Sequence, residues 1–239
     1  MDLNGKGAVV FGGASGLGEA TAERLRGDGA SVVVADIAEG ADVRCDVTDG
    51  DQVQAALDAV DDLRVVVVCA GLGTPAKLVA RDGSPTPFDD FARVVNVNLL
   101  GTINVLRLAA AAMAHNEPDE HGARGVIVCT ASIAAYDGQI GQIAYAASKG
   151  GVVGMTVPAA RDLAQWGIRV MTIAPGIIDT PMLAGVDESF REQLSSGVPF
   201  PQRLGRPDEY AQLVAMIVEH DYLNGEVIRM DGALRMAPR

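Results

Sequence analysis

Apolar residues in this chain come in short bursts, separated by glycine-rich turns, polar stretches or helix-patterned segments. Gly7–Phe11 is the first burst, and Gly12-Gly13-Ala14-Ser15-Gly16-Leu17-Gly18 follows at once. Ala20, Ala22 and Leu25 then recur at helical spacing up to Gly29. Ser31–Ala35 is a second run, closed by Asp36, and a short third strand is expected at Asp42–Cys45. Val53–Val60 reads as helix, and Leu63–Cys69, with four consecutive valines, as a buried strand. Unbroken valine runs suit strands covered on both faces, as in a parallel sheet, whereas a half-exposed strand alternates.

Further along, a long helix is expected from Phe88 to Ala114, a strand at Arg124–Cys129, a helix at Gln142–Gln165 and a strand at Ile168–Ile173. Pro175–Pro201 reads as loop with a short helix. Pro207–Glu219 reads as a helix opened by proline in its first turn, and Glu226–Met230 as the last strand. Gly73–Pro87, with Pro75, Pro85 and Pro87, is too irregular for a helix and long for a strand-to-helix loop. Strand and helix alternate throughout, with no internal repeat and no linker. The expectation is α/β: a single Rossmann-type domain over residues 1–239, a doubly wound parallel sheet of about seven strands flanked by helices.

Composition narrows the function classes. Only 4% of residues are aromatic, so the core must be aliphatic. The net charge of −12 argues against nucleic acid, which needs clustered positive charge. Lysine occurs only at positions 6, 77 and 149. Cys45, Cys69 and Cys129 lack metal-ligand spacing, and reduced core thiols in a cytoplasmic protein are expected, with no metal site. No signal peptide is read at the start. The longest unbroken apolar runs are far shorter than the ~20 residues of a membrane span, so no membrane association is expected.

Two groups of residues carry candidate chemistry. The Gly12-x-x-x-Gly16-x-Gly18 spacing lies between a strand and a helix, where glycines let backbone approach a pyrophosphate and the helix N-terminus supplies free N–H groups. Asp36 ends the second strand, where its carboxylate can bind the adenosine ribose hydroxyls; with Ile37 next and no basic residue beside it, NAD is expected over NADP. The second group is Tyr145 and Lys149, four apart and so on one helix face. A cation there is expected to draw the phenol pKa toward working pH. Ser132 follows the fifth strand and can bond the substrate oxygen. Asn98, inside the apolar long helix, is a candidate to hold a water linking Lys149 to solvent, with Asn96 the weaker choice. Pro175-Gly176, with Thr180 after it, can cover a nicotinamide.

Taken together, the glycine motif, Asp36, Asp46-Val47, Ala70-Gly71, Asn98, Ser132, Tyr145, Lys149 and Pro175-Gly176 resemble the short-chain dehydrogenase/reductase family along the whole chain. The resemblance implies that Asp46 and Val47 contact adenine and that Lys149 also binds the nicotinamide ribose. Asn116–Asp119, Gly138–Gln142, Ser148–Met155, Val198–Gly205 and Asn224–Met236 look like the branch of type-2 3-hydroxyacyl-CoA dehydrogenases. That likeness implies further NAD contacts from Ser15, Leu17, Cys69, Ile178 and Thr180, and substrate contacts from Ser132, Gln142 and Tyr145. It also implies a substrate-mouth loop at Gly73–Pro87, where Lys77 and Arg81 are candidates for CoA phosphates. The implied reaction is NAD-dependent oxidation of an L-3-hydroxyacyl-CoA to the 3-oxoacyl-CoA, in fatty-acid or branched-chain acyl-CoA breakdown, by a homotetramer. Open alternatives are a dehydrogenase for a hydroxysteroid or another secondary alcohol, a 3-oxoacyl-carrier-protein reductase, which Asp36 disfavours, and a non-catalytic NAD-binding sensor or scaffold. The chain departs from the family at Phe11, where a threonine is usual, and at Val68-Cys69, where two asparagines are usual. Only nine residues separate Asp36 from Asp46, so the helix usual there must be lost or reduced to a turn.

Overall fold

A computed structural model describes residues 1–183 and 187–238, without the side chains of 182, 188 and 190. Seven parallel strands form one sheet in the order β3-β2-β1-β4-β5-β6-β7. They are β1 (Gly7–Phe11), β2 (Ser31–Asp36), β3 (Val43–Arg44), β4 (Leu63–Val68), β5 (Gly125–Thr130), β6 (Ile168–Pro175) and β7 (Val227–Met230). The helices are α1 (Gly16–Gly27), α2 (Gly50–Asp58), α3 (Phe88–Val95), α4 (Thr102–Met113), α5 (Ala134–Asp137), α6 (Ile143–Leu163), α7 (Glu188–Ser196) and α8 (Pro207–Glu219).

Every residue of β1, β4, β5 and β6 is buried, because helices cover both faces. Successive side chains alternate between two cores. Val9, Phe11, Val66, Val68, Ile127 and Cys129 face α2, α4 and α6. Ala8, Val10, Val65, Val67, Val126 and Val128 face α1 and α8. The valine runs thus serve two cores at once, which is why they carry no polar alternation.

Three expectations need correction. The second helix starts at Gly50, not Val53, because Asp49 caps it by accepting from the backbone N–H groups of Asp51 and Gln52. The sixth strand runs on to Pro175. The long helix is not uniform: Asn96–Gly101 widens into a π-helical segment between α3 and α4. By length and composition the whole Phe88–Met113 stretch, 26 residues, could cross a membrane, which single apolar runs do not reveal. Here it lies against the sheet through Val105, Ala109 and Met113. The shortened stretch after Asp36 forms bends and a turn, with no helix before β3.

Candidate active site

The carboxyl ends of β1, β4, β5 and β6 frame a cleft, the place where open parallel sheets bind ligands. On one side β1 runs into the glycine turn. Gly12 has φ +75°, and a Cβ there would fall 2.4 Å from Ala70 N. At Gly18 a Cβ would fall 2.1 Å from Gly12 O, so the turn closes onto α1 only without a side chain. Ser15, the residue before α1, makes no side-chain cap, which leaves the first-turn N–H groups facing the cleft. Asp36 is held by two backbone donors, Ala14 N and Ala38 N, each at 3.0 Å. Thr180, after β6, stands over the turn: a Cβ on Gly16 would meet its Cβ at 3.3 Å. This is a backbone cradle with a fixed carboxylate beside it, and it fits a dinucleotide.

The other cofactor-side candidates gather around the same edge. Cys69 N and Ala70 N both donate to Phe11 O, which ties the end of β4 to β1. The Cys69 thiol, however, points inward to Thr130 and Tyr210, so only its backbone is left for the cleft. Asp46 Oδ1 accepts from Thr48 N and Thr48 Oγ1, at 2.9 and 2.7 Å. Val47 is buried, with its carbonyl accepting from Asn104 Nδ2 at 2.8 Å. Leu17 packs into the α1–α8 core. Pro175 O accepts from Ile133 N, Gly176 N donates to Met230 O, and Ile178 pairs with Gly205. One expectation is overturned: Arg44 in β3 lies in register with Asp36 in β2, so a basic residue does stand beside it, across the sheet edge.

The chemical group comes from α6 and the end of β5. Tyr145 and Lys149 lie one turn apart, with Nζ 5.9 Å from the ring centroid. The Ser132 side chain lies close enough to the Tyr145 hydroxyl to favour its phenolate. Ser132 Oγ also accepts from Ala134 N at 3.1 Å, which orients it. Lys149 is 4% exposed and donates to the Thr130 carbonyl at 2.7 Å. Burial lowers its pKa to about 8. The Tyr145 phenol is pushed up by burial, with the Ser132 side chain opposing. That reverses the expected downward shift, because desolvation of the phenolate outweighs the groups that favour it.

Asn98 sits fully buried in the π-helical segment, a distortion frequent at functional sites. Its Oδ1 accepts from Leu72 N at 2.8 Å, and its Nδ2 donates to Leu72 O at 2.9 Å and Ser148 Oγ at 3.1 Å. Ser148 Oγ in turn donates to Tyr145 O at 2.7 Å. The amide donors therefore brace the chain after β4 against α6. A Cβ on Gly71 would meet Asn98 Oδ1 at 3.1 Å and Lys149 Nζ at 3.5 Å, so the three stand together. Thr130 and Ser148 escaped the sequence reading. Thr130 acts through a carbonyl, which every residue has; Ser148 is signalled only as a polar residue on the inward face of an apolar helix.

Gln142 precedes α6 and accepts from Gln139 N at 3.0 Å through Oε1. It lines a cavity of about 470 Å³ with Lys77, Leu78, Val79, Ile140 and Ile143, at the mouth formed by the loop after β4. Gly73 brings that loop to Tyr145, since a Cβ there would lie 3.8 Å from the ring. Lys77 and Arg81 are exposed, and neither makes an ion pair among the described residues. No group of three or more His, Cys, Asp or Glu among the described residues could hold a metal ion.

A family model described as enoyl-(acyl carrier protein) reductase matches residues 12–234. The chain is 52% identical to "3-hydroxyacyl-CoA dehydrogenase type-2" of Homo sapiens, over 99% of this chain and 97% of that one. It is 53% identical to the protein of that name in Drosophila melanogaster, over 97% and 98%. The crystal structure of 3-hydroxyacyl-CoA dehydrogenase type-2 from Mycobacterium avium superposes with a TM-score of 0.94 at 48% identity, covering 98% of each chain. The chain belongs to the short-chain dehydrogenase/reductase family, as an oxidoreductase that acts on CH–OH groups with a nicotinamide cofactor.

Proposed function

We propose that the protein oxidises L-3-hydroxyacyl-CoA to 3-oxoacyl-CoA with NAD⁺. The observation that carries this reading is the grouping of Ser132, Tyr145 and Lys149, the last two one helical turn apart, beside the glycine turn and Asp36. The bound cofactor supplies the hydride acceptor. Ser132 orients the substrate oxygen. Tyr145 takes the hydroxyl proton as the carbonyl forms, and returns one in the reverse direction. Lys149 stabilises the phenolate and reaches the nicotinamide ribose. Asn98 keeps the chain after β4 and the catalytic helix in register.

The NAD preference rests on Asp36, whose carboxylate is fixed by two amides where a 2′-phosphate would sit. Arg44 is the competing feature, so the NAD⁺/NADP⁺ ratio is to be measured for the wild type and for Arg44→Ala. Preference for NADP⁺ in both would reject the assignment. Within the family set, Gly12, Ser15, Gly16, Leu17, Gly18, Asp46, Val47, Cys69, Ala70, Gly71, Pro175, Gly176, Ile178 and Thr180 would complete the cofactor surface.

The substrate assignment follows the relatives' shared name and two exposed cations without an ion pair among the described residues, Lys77 in the cavity lining and Arg81 further along the same loop. Apolar Leu78, Val79, Ile140 and Ile143 in the same cavity favour a second reading, a hydroxysteroid or other apolar secondary alcohol. A substrate panel followed by NADH absorbance separates the two, and absence of turnover on every member would leave a non-catalytic NAD-binding protein. We further propose a cytoplasmic homotetramer. Leu100, Ile103, Ile143 and Val157 are exposed apolar residues on the long helices, which suits helix-to-helix packing between copies. A monomer in light scattering at micromolar concentration would contradict it.

A further inference from the structure

Tyr210 lies on α8, in the layer opposite the catalytic helix, and is fully buried. Its hydroxyl stands 2.7 Å from Oγ1 of Thr130, the last residue of β5. The Cys69 thiol completes the group, 3.8 Å from the Tyr210 hydroxyl and 3.7 Å from Thr130 Oγ1. On the other side of the same residue, the Thr130 carbonyl accepts from Lys149. Thr130 is therefore held from both layers, its side chain by α8 and its main chain by α6. A phenylalanine would fill the Tyr210 site without a hydroxyl that needs a partner there.

We infer that Tyr210 is a positioning residue for the reaction: by holding the Thr130 side chain it fixes the carbonyl that aims Lys149 at Tyr145. The inference rests on the catalytic reading of Tyr145 and Lys149 given above. Lys149 has no other hydrogen-bond partner among the described residues, so its ammonium follows the Thr130 carbonyl. Small displacements of a catalytic group carry large rate effects. The titratable groups facing Lys149 are Tyr145 on its own helix, Cys69 after β4 and Cys129 in β5. Burial raises both thiols, Cys129 to about 12, and raises the Tyr210 phenol as well. Those three stay neutral over the working range, and burial raises the Tyr145 phenol as well, which leaves Lys149 to titrate there.

The test uses the full-length enzyme with NADH and acetoacetyl-CoA, comparing Tyr210→Phe, Thr130→Val, Thr130→Ser and Lys149→Ala across pH. Tyr210→Phe and Thr130→Val should lower kcat about tenfold with KM within about twofold, because orientation and not binding is lost. A weaker acceptor for the ammonium lowers the Lys149 pKa, so the alkaline limb of kcat should move to lower pH, by about half a unit. Thr130→Ser keeps a hydroxyl and should lie closer to the wild type than Thr130→Val. Should Tyr210→Phe not fold, the two Thr130 variants carry the same comparison. A lower Tm with wild-type kcat and pH profile would make Tyr210 merely structural and overturn the inference, while an inactive Lys149→Ala leaves the catalytic reading standing. An active Lys149→Ala would defeat that reading itself, and this inference with it.

Discussion

The two sides of the cleft are built differently. The cofactor side is made of backbone: Gly12 against Ala70, Gly18 against Gly12, and Asp36 held by Ala14 and Ala38. Its parts sit at the ends of buried strands. The other side, where we place the substrate, is a loop with exposed Lys77, Leu78 and Val79, folded toward Gln142 and the start of α6. One side is rigid because the sheet leaves it no freedom. The other is adjustable, because few of its side chains are buried. Tyr145 and Lys149, the proposed catalytic pair, lie between the two, on a helix tied to the sheet through Thr130. The contrast separates what holds a cofactor from what selects a substrate.

The sharpest break falls at the chemistry between the two sides. Tyr145→Phe removes only the proton-transferring hydroxyl and should cost ~10²–10⁴-fold in kcat, with NADH binding retained. Activity within a few-fold of wild type, read by NADH turnover, would defeat the assignment. Lys149→Met should also abolish turnover, yet raise Tm. The Lys149 pKa is lowered from 10.5 to about 8, so burial disfavours the cation. That destabilisation is full below pH 8, fades as pH rises through the interval, and is gone above 10.5. The Tm gain should therefore be largest below pH 8, which thermal melts at two pH values check.

On the cofactor side, Gly18→Ala forces a Cβ onto the Gly12 carbonyl. Overpacking of about 1–3 kcal/mol should weaken NADH binding roughly 10- to 100-fold, measurable by calorimetry. Unchanged affinity would show that the turn is softer than its contacts imply. Asp36→Ala combined with Ile37→Arg removes the carboxylate and adds a cation, so NADP⁺ use relative to NAD⁺ should rise about tenfold or more. The smallest effect belongs to the substrate rim. Lys77→Ala with Arg81→Ala should raise KM for acetoacetyl-CoA a few-fold, more than it lowers kcat, and the effect should shrink above about 0.1 M salt. A rim change as large as the Gly18 change would erase the contrast between the sides.

Much of this was legible because its signals are local. Four valines in a row can only be a strand buried on both faces in a fold of this kind, and β4 is that strand. Tyr145 and Lys149 share a helix face by spacing alone. The Asp36–Asp46 interval was too short for a helix, and bends and a turn fill it. The π-helical segment at Asn96–Gly101 was not legible, since it depends on how Asn98 meets Leu72 and Ser148, distant in sequence. Arg44 beside Asp36 was missed for a similar reason: strand register joins residues that the linear sequence keeps apart.

By itself, the sequence determined the order of strands and helices, the places where glycine must stand, and the residue types able to move a proton. Those follow from periodicity, steric demand and side-chain chemistry, which act over a few residues. Only the tertiary structure decided how the groups are tuned. It turned Lys149 to the Thr130 carbonyl, raised the Tyr145 phenol, spent the Asn98 amide on bracing and set Tyr210 behind Thr130. Burial, register and hydrogen-bond partners across the sheet are set by packing between distant segments, and a pKa or an orientation exists only once that packing is complete.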